Sequence, residues 1–224
     1  MVPVDTTPDT RVLEALNAAS SSARLQAALA MGTHADPAHV EALVARCAIE
    51  PNFFVRDMLT WALTRLPARL TVPRLCAELR SERAQARSQA LHTLSKIGDV
   101  RAYPAVTRSL LRDADDEVAR SAWRAAVVLA PDEERDALAA ELASQLGRGG
   151  RDVALSLSRA LVTLGDVVEP VLRAAMASTD PAVRAHARAT ALLRRDPDGG
   201  FDAAVDEAKR IVALGPEPAE GAGC

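Results

Sequence analysis

An internal repeat of 30 to 35 residues constrains the fold of this chain more than any other feature. Five stretches carry apolar or small residues at positions zero, four, eight and mostly eleven, counted from their first residue. They begin at Val55, Ala86, Val118, Val153 and Val183, and a looser copy begins at Ala23. A Pro or Gly ends the stretch in four of the five copies. This spacing predicts an amphipathic helix with one apolar stripe in every copy.

A second amphipathic segment precedes each of these stretches, so the repeating unit is helix, turn, helix and short loop. One such unit cannot cover its own apolar face, and units of this length therefore stack on one another. The composition agrees, because 49% of the residues are hydrophobic but only 3% are aromatic. A β-sandwich or barrel normally fills its core with aromatic and β-branched residues. We therefore expect an all-α fold.

The start of the second helix carries a recognisable pattern. The letters DPAVRAHA at Asp180–Ala187 and DDEVARSA at Asp115–Ala122 resemble the second helix of HEAT repeats, and the likeness extends over roughly residues 10–195. The short units look like compact bacterial HEAT-like repeats, whereas the signature of the rival tetratricopeptide repeat is absent. The chain is also similar to actinobacterial HEAT modules, some of which are joined to MerR-type regulators. The resemblance implies a right-handed α-solenoid of about six hairpins, with the second helices on its concave side.

The ends of the chain are expected to differ from the repeats. We predict a flexible N-terminus over residues 1–9 and a HEAT-like repeat domain over residues 10–214. Within that domain, residues 201–214 are predicted to form a capping helix. The Pro- and Gly-rich residues 215–224 are predicted to be a disordered tail.

A helical wheel indicates which side chains line the concave groove. At about 100° per residue, positions two and six of the second helix lie opposite the apolar stripe, with position ten beside them. The candidate binding residues at these positions are Asp57, Trp61, His92, Lys96, Arg120, Arg124 and Arg159. Trp61, His92, Arg124 and Arg159 share position six, so they are predicted to form one ridge across the stack.

Trp61 is the best single indication of function, because Trp and Arg dominate interface hot spots. Two interpretations stay open at this point: an exposed binding anchor, or a ring packed flat on the neighbouring helix. Trp123 is predicted to pack between repeats. The cluster of Arg120, Arg124 and Arg159, with Lys96 nearby, makes the middle of the groove locally basic. It suits a carboxylate, a phosphate or an acidic peptide, or else it is a solvated helix face with local acidic partners.

Other charged residues have local explanations. Arg56, Arg87 and Arg184 share position one and are predicted to brace the adjacent turn or its acidic residues. Asp115 and Asp180 precede second helices, where an acidic residue caps the helix and favours its dipole.

No known catalytic constellation is present in the sequence. P-loop, G-x-G-x-x-G and G-x-S-x-G motifs are absent, so we expect a protein that is not an enzyme and uses no cofactor. His34 and His39 lack a third strong metal ligand nearby, so no metal site is expected. The enzymatic alternative is a HEAT-like alkylpurine DNA glycosylase, for which Asp57, Trp61, Trp123 and Arg124 are suitable residue types.

The net charge of −3 and the pI of about 5.8 argue against a nucleic-acid partner, because such proteins usually present a basic balance. Three widely spaced cysteines favour free thiols and a reducing cytoplasm. The first ten residues hold no apolar leader segment, and no apolar run is long enough to span a membrane.

The sequence thus predicts a cytoplasmic, non-enzymatic scaffold, adaptor or regulatory protein. Its concave groove is expected to hold a protein or peptide partner, or a small anionic ligand. A nucleic-acid-associated regulator remains the alternative beside the glycosylase.

Overall fold

The computed structural model describes residues 8–197 and 205–206. These residues form twelve α-helices, of four to fifteen residues, and no strand. The helices are α1 (Pro8–Leu16), α2 (Ser21–His34), α3 (Val40–Cys47), α4 (Phe53–Arg65), α5 (Ala68–Glu78), α6 (Ala84–Ile97), α7 (Arg108–Leu111), α8 (Asp116–Leu129), α9 (Arg135–Ala143), α10 (Arg151–Thr163), α11 (Glu169–Met176) and α12 (Pro181–Arg195). Short 3-10 segments occupy Pro37–His39, Val100–Ala105, Asp132–Glu134 and Gly165–Val168.

Consecutive helices pack as six hairpins, from α1 with α2 to α11 with α12. The chain divides into two compact units at the bond between Leu129 and Ala130. In the first unit the second helices α2, α4, α6 and α8 pack in that order, and in the second unit α10 packs against α12. The predicted all-α fold of about six stacked hairpins is confirmed.

The second helices begin where the repeat predicts. Each starts two residues before position zero, at Ser21, Phe53, Ala84, Asp116, Arg151 and Pro181. Asp115 accepts hydrogen bonds from the Glu117 and Val118 amides at 2.9 and 3.2 Å, and Asp180 accepts one from Ala182 at 2.8 Å. Both acidic residues therefore cap helices, as predicted, because they satisfy amides that lack an intrahelical partner.

The predicted apolar stripe forms the core of each unit. In α4, Val55, Leu59 and Leu63 are at most 1% exposed. The corresponding stripe residues of α8 and α10 are also buried. Because Ala occupies many of these positions, neighbouring helices can approach closely without large rings between them.

Arginines at position one hold the turns between paired helices. Arg56 Nη1 donates to the carbonyls of the residues five and six positions earlier, at 2.9 and 3.0 Å. Arg87, Arg184 and, in the loose first copy, Arg24 repeat this contact with their own turns. Arg87 also pairs with Asp113 at 3.0 Å. The predicted bracing role is confirmed, and Arg24 extends it to a fourth hairpin.

One predicted helix is interrupted. The segment Ala102–Leu111 was expected to be a single amphipathic helix, but it consists of part of the 3-10 segment Val100–Ala105 and the four-residue α7. Pro104 lies within the 3-10 segment, and proline has no amide hydrogen and clashes with the preceding turn of an α-helix. The first helix of this hairpin is therefore short.

Several predictions concern residues outside the described part of the chain. The N-terminal segment 1–9 is described only from Pro8, and the tail 215–224 is not described. Of the predicted capping helix 201–214, only Val205 and Asp206 are described, and both are helical. Two cysteines are described as free thiols: Cys47 is buried, whereas Cys76 is only half-buried.

Candidate binding surface on helices α4, α6 and α8

Six of the seven candidate residues lie in the first unit, on three helices that pack side by side. Asp57 and Trp61 lie on α4, His92 and Lys96 on α6, and Arg120 and Arg124 on α8. Asp57, Trp61, Lys96 and Arg124 are exposed, whereas His92 and Arg120 are half-buried. We call the exposed sides of α4, α6 and α8 the second-helix face.

Trp61 is packed on a neighbouring helix and also partly exposed, so each of the two interpretations from the sequence is correct in part. One part of its ring packs on Gly32 of α2, yet 37% of the residue remains exposed. A side chain on Gly32 would clash with the Trp61 ring and would lie 2.8 Å from Ala62 Cα. Glycine within a helix is less favourable than alanine by about 1 kcal/mol, so its presence here serves close packing. Trp61 is therefore held in place and also accessible.

His92 lies at the centre of the charged residues. Burial lowers the pKa of His92, and the positive charges of Arg124 and Lys96 lower it further, while Asp57 opposes them. These interactions involve residues of α4, α6 and α8, so four of the seven candidate residues, Asp57, His92, Lys96 and Arg124, lie near one another. The low pKa keeps His92 neutral at pH 7, where it can donate and accept hydrogen bonds.

Two cations on this face have no carboxylate partner among the described residues. Within the described residues, neither Lys96 nor Arg124 makes an ion pair. Arg124 instead donates to the Arg120 carbonyl at 3.3 Å and to Ser121 Oγ at 3.1 Å. Partial burial and the neighbouring charge of Arg120 lower the pKa of Arg124, while Glu117 opposes this. The surface therefore holds positive charge that a ligand could neutralise.

Arg120 is less available than Arg124. Its Nη1 pairs with Glu117 Oε1 at 2.6 Å, one turn earlier on α8. The sequence left a local acidic partner open as an explanation for these arginines, and for Arg120 the structure provides that partner. An ion pair at this spacing contributes only about 0.3–0.5 kcal/mol, so a ligand can compete for the guanidinium.

Arg159 belongs to the second unit. It lies on α10 and is exposed. The predicted extension of the ridge from the first unit to Arg159 stays a prediction.

The wheel misplaces some residues beside this face. Ser88 at position two of α6 was expected to project into the groove, but it is 8% exposed and lies 3.0 Å from Ser121 of α8. Ala189 at position six of α12 is also buried. A wheel gives directions within one helix, whereas the neighbouring helix decides which of those directions is covered.

Two exposed aromatic residues on α4 were not among the binding residues predicted from the sequence. Phe53 and Phe54 are 65% and 72% exposed at the start of the helix. Their rings meet edge to face with centroids 5.7 Å apart, and the Arg56 guanidinium lies 5.9 Å from the centre of the Phe53 ring. The available signal was their place just before the apolar stripe in a chain with only six aromatic residues.

Trp123 is buried, and the hydrogen bond of its indole N–H joins it to the first helix of its own hairpin, whereas the sequence predicted packing between repeats. It is 0% exposed, and its Nε1 donates to the Leu111 carbonyl of its own hairpin at 2.8 Å. A buried ring cannot stack on a nucleobase. One of the four residues that suited a DNA glycosylase is therefore not available for that role.

The described residues contain no group of three His, Cys, Asp or Glu side chains that could hold a metal ion. His34 is exposed and contacts its own helix at the Ala30 carbonyl, whereas His39 is buried. Across the described part of the chain, every helix is too short or too polar to traverse a bilayer.

Comparison with known proteins supports the repeat assignment. Residues 40–127, from α3 through most of α8, match the family of HEAT repeats. No curated protein matches the chain. The resemblance to actinobacterial modules and to MerR-linked proteins stays a prediction.

Two solved structures are similar in fold. One is a chain in the complex of CpcE and CpcF of phycocyanin lyase from Nostoc sp. PCC7120, with a TM-score of 0.48 and 18% identity over 91% of this chain and 94% of that chain. The other is an engineered protein, with a TM-score of 0.44 and 20% identity over 88% of this chain and 60% of that chain.

The first of these findings corrects one prediction. The sequence predicted that the chain is not an enzyme, because no catalytic motif is present. That prediction is contradicted, since a chain of similar fold is part of a lyase complex. The restriction to non-enzymatic function is dropped.

Proposed function

We propose that the second-helix face of the first unit binds an acidic segment of a partner protein. The chain would then act as a helical-repeat scaffold, either as an adaptor or as the binding subunit of a larger assembly. The observation that carries the proposal is that Lys96 and Arg124, both without ion pairs in the described residues, lie on the packed helices α6 and α8, and that both charges act on the half-buried His92 of α6. Exposed Trp61 lies on the adjoining helix α4.

Charge and chemistry favour a carboxylate ligand. Carboxylates form strong charge-assisted hydrogen bonds with guanidinium groups, and a fixed guanidinium adds geometric specificity. Trp61 supplies a large apolar surface at low entropic cost, because Gly32 already restricts its ring. The net charge of −3 does not favour a nucleic-acid backbone as the ligand.

A charge-reversal experiment tests this function. The partner recovered with the wild-type chain from its native host is purified, and its affinity is measured for Arg124→Glu, Lys96→Glu and the wild type. We expect each substitution to weaken binding at least about tenfold, which equals about 1.4 kcal/mol. Arg69→Glu is the matched control, because Arg69 is exposed on the first helix α5.

The control separates local charge from net charge. All three variants change the net charge equally, so a general electrostatic effect would weaken binding in all of them. Equal affinity of Arg124→Glu, Lys96→Glu and the wild type would overturn the proposal. Circular dichroism and a thermal melt establish that each variant keeps its fold.

A further inference from the structure

Three of the six aromatic residues of this chain lie on one exposed side of α4. Phe53 and Phe54 precede Trp61 by eight and seven residues, so all three lie close to one helix face. At 1.5 Å per residue, this stripe is about 12 Å long. We call Phe53, Phe54 and Trp61 the aromatic stripe.

The aromatic stripe is not needed for the core. The opposite side of α4 supplies the buried residues Val55, Leu59 and Leu63. Large rings left in water are unfavourable, and a contiguous exposed apolar patch commonly marks an interaction site. Aromatic residues are also among those enriched in interface hot spots.

The rings are already restrained. Trp61 packs on Gly32, and Phe53 packs against the edge of Phe54 and beneath Arg56. A partner that docks on restrained rings loses less conformational entropy than one that must order them. The aromatic stripe is therefore suited to hold an apolar side chain.

The helices of the second-helix face differ in the charged residues that they carry. The exposed side of α4 carries Asp57 and Arg65 beside the aromatic stripe, whereas Lys96 and Arg124, which make no ion pair within the described residues, lie on α6 and α8. The charges of Asp57 on α4, Lys96 on α6 and Arg124 on α8 all act on His92. The face therefore runs from an apolar end on α4 to a cationic end on α8.

We infer that the partner segment is bipartite: an apolar anchor on the aromatic stripe, and acidic residues over Lys96 and Arg124. The inference rests on the proposed function and adds the chemistry of the partner. Packed helices are 8–10 Å apart, and an extended chain advances about 3.3 Å per residue. The first acidic residue would thus lie about three residues from the anchor and the second about six.

Trp61 provides a direct signal for the test. The chain has two tryptophans, and Trp123 is 0% exposed. A change in tryptophan emission or in acrylamide quenching on binding therefore reports on Trp61. The probe is a nine-residue peptide with one Phe and with Glu three and six residues away, on Ser spacers. Both chain directions of this peptide are titrated into the full-length protein.

Matched peptides separate the two parts of the surface. One control peptide replaces Phe by Ala and keeps both acids, and another replaces both Glu by Gln and keeps the anchor. We expect the bipartite peptide to bind at least tenfold more tightly than either control. A third control places the two Glu directly beside the Phe and should bind as weakly as the anchor alone.

Variants of the protein surface test which helices bind the apolar anchor and which bind the acidic residues of the peptide. The double variant Phe53→Ser with Phe54→Ser should bind the bipartite peptide no better than the acid-only peptide. The double variant Lys96→Gln with Arg124→Gln should bind it no better than the anchor-only peptide. Leu70→Ser on α5 removes an exposed apolar side chain from a first helix and should leave the affinity unchanged.

The outcomes distinguish this inference from the proposed function. If the acid-only peptide binds as tightly as the bipartite one, the inference fails and the proposed function stands. If no acidic peptide binds and the charge-reversal variants still capture the native partner, both fail. Tighter binding of a single-stranded oligonucleotide than of the bipartite peptide would also overturn the inference, because aromatic rings and cations can hold bases and phosphates.

Discussion

Each unit buries a polar side chain at a junction between neighbouring hairpins, and the two buried groups differ in charge. In the first unit Glu50 is 0% exposed, and its carboxylate receives hydrogen bonds from Arg24 at 2.7 and 2.8 Å, from Arg46 at 2.8 Å and from the Asn52 amide at 2.9 Å. In the second unit, His186 of α12 is buried and accepts a hydrogen bond from the amide of Gly147, in the turn between α9 and α10, at 3.0 Å. One junction is ionic and the other is neutral.

The surroundings of the two groups explain their opposite roles. Burial by itself would raise the pKa of Glu50, but the hydrogen bonds from Arg24, Asn52 and Arg46 outweigh it and lower the pKa to about 2. Burial lowers the pKa of His186, and the Ala154 carbonyl opposes this only in part. Glu50 is thus held charged, whereas His186 is held neutral.

The neutral junction also extends to hydroxyl groups. His186 Nε2 lies 3.1 Å from Ser158 Oγ and 3.1 Å from the Ala154 carbonyl, and Ser158 Oγ lies 2.8 Å from Thr190 Oγ1. With Nδ1 accepting from Gly147, the hydrogen of the ring is on Nε2. The comparison teaches that one repeat architecture tolerates either an ionic or a neutral group at such a junction, provided that this group has hydrogen-bond partners.

The largest effect is expected when the ionic junction loses its charge. Glu50→Gln leaves Arg24 and Arg46 beside a neutral amide, and removing one partner of a buried ion pair costs about 3–5 kcal/mol. The free energy of unfolding, measured by urea denaturation, should fall by that amount. Glu41→Gln is the control, because the Glu41 side chain is 73% exposed in its pair with Arg74. A loss as small as that of the control would contradict the ionic description of this junction.

A smaller loss is expected at the neutral junction. His186→Ala leaves the Gly147 amide without its side-chain acceptor, and an unsatisfied buried polar group costs about 1–3 kcal/mol. Urea denaturation of His186→Ala and of the exposed control His34→Ala measures the difference. Equal stability of the two variants would show that the His186 hydrogen bonds contribute nothing.

The two junctions should respond to acid in different ranges of pH. Because the folded pKa of His186 lies below the ordinary value of 6.5, the unfolded chain binds more protons below that pH, and stability falls with decreasing pH. The stability difference between wild type and His186→Ala should therefore shrink from pH 7 to pH 5, by at most about 1.4 kcal/mol per pH unit.

Glu50 provides the contrast in the same measurement. Its folded pKa of about 2 lies below the ordinary value of 4.5, so its stabilisation is present above pH 4.5 and is lost as the pH falls towards 2. The difference between wild type and Glu50→Gln should stay constant from pH 7 to about pH 5.5. A decline of that stability difference between pH 7 and about pH 5.5 would contradict the low folded pKa of Glu50.

The smallest effect concerns the braces that both units share. Arg184→Ala removes hydrogen bonds of 2.8 and 2.9 Å to two turn carbonyls, and Arg56→Ala removes bonds of 3.0 and 2.9 Å. We expect each variant to lose about 1 kcal/mol of stability in urea denaturation, because the sites are partly exposed. A much larger loss for Arg56→Ala would show that its brace depends on the adjacent ionic junction at Glu50.

Local features were predictable from the sequence. The repeat located the starts of the second helices, the buried stripe and the brace residues Arg56, Arg87 and Arg184. Each of these depends on a few consecutive residues, since helix periodicity and capping act over one or two turns. The burial of Trp123 was predictable for the same reason, from its angle on the wheel.

The candidate surface was predictable only in part. The wheel selected Trp61, Lys96 and Arg124 correctly as exposed residues, but it also placed the buried Ser88 in the groove. It gave no reason to choose Phe53 and Phe54. These errors share one cause, because a wheel does not contain the neighbouring helices that cover or expose a given direction.

By itself, the sequence determined that this chain forms stacked helical hairpins, because its apolar pattern repeats with the period of an α-helix and with breakers at regular intervals. Only the tertiary structure decided where charge is buried and where it is offered to a ligand. Glu50 is enclosed because Arg24 and Arg46 reach it from two other helical segments, whereas Lys96 and Arg124 find no carboxylate within the described residues. The Arg24–Glu50 pair joins residues 26 positions apart, and such a pairing depends on distances across the fold, which the local repeat does not encode.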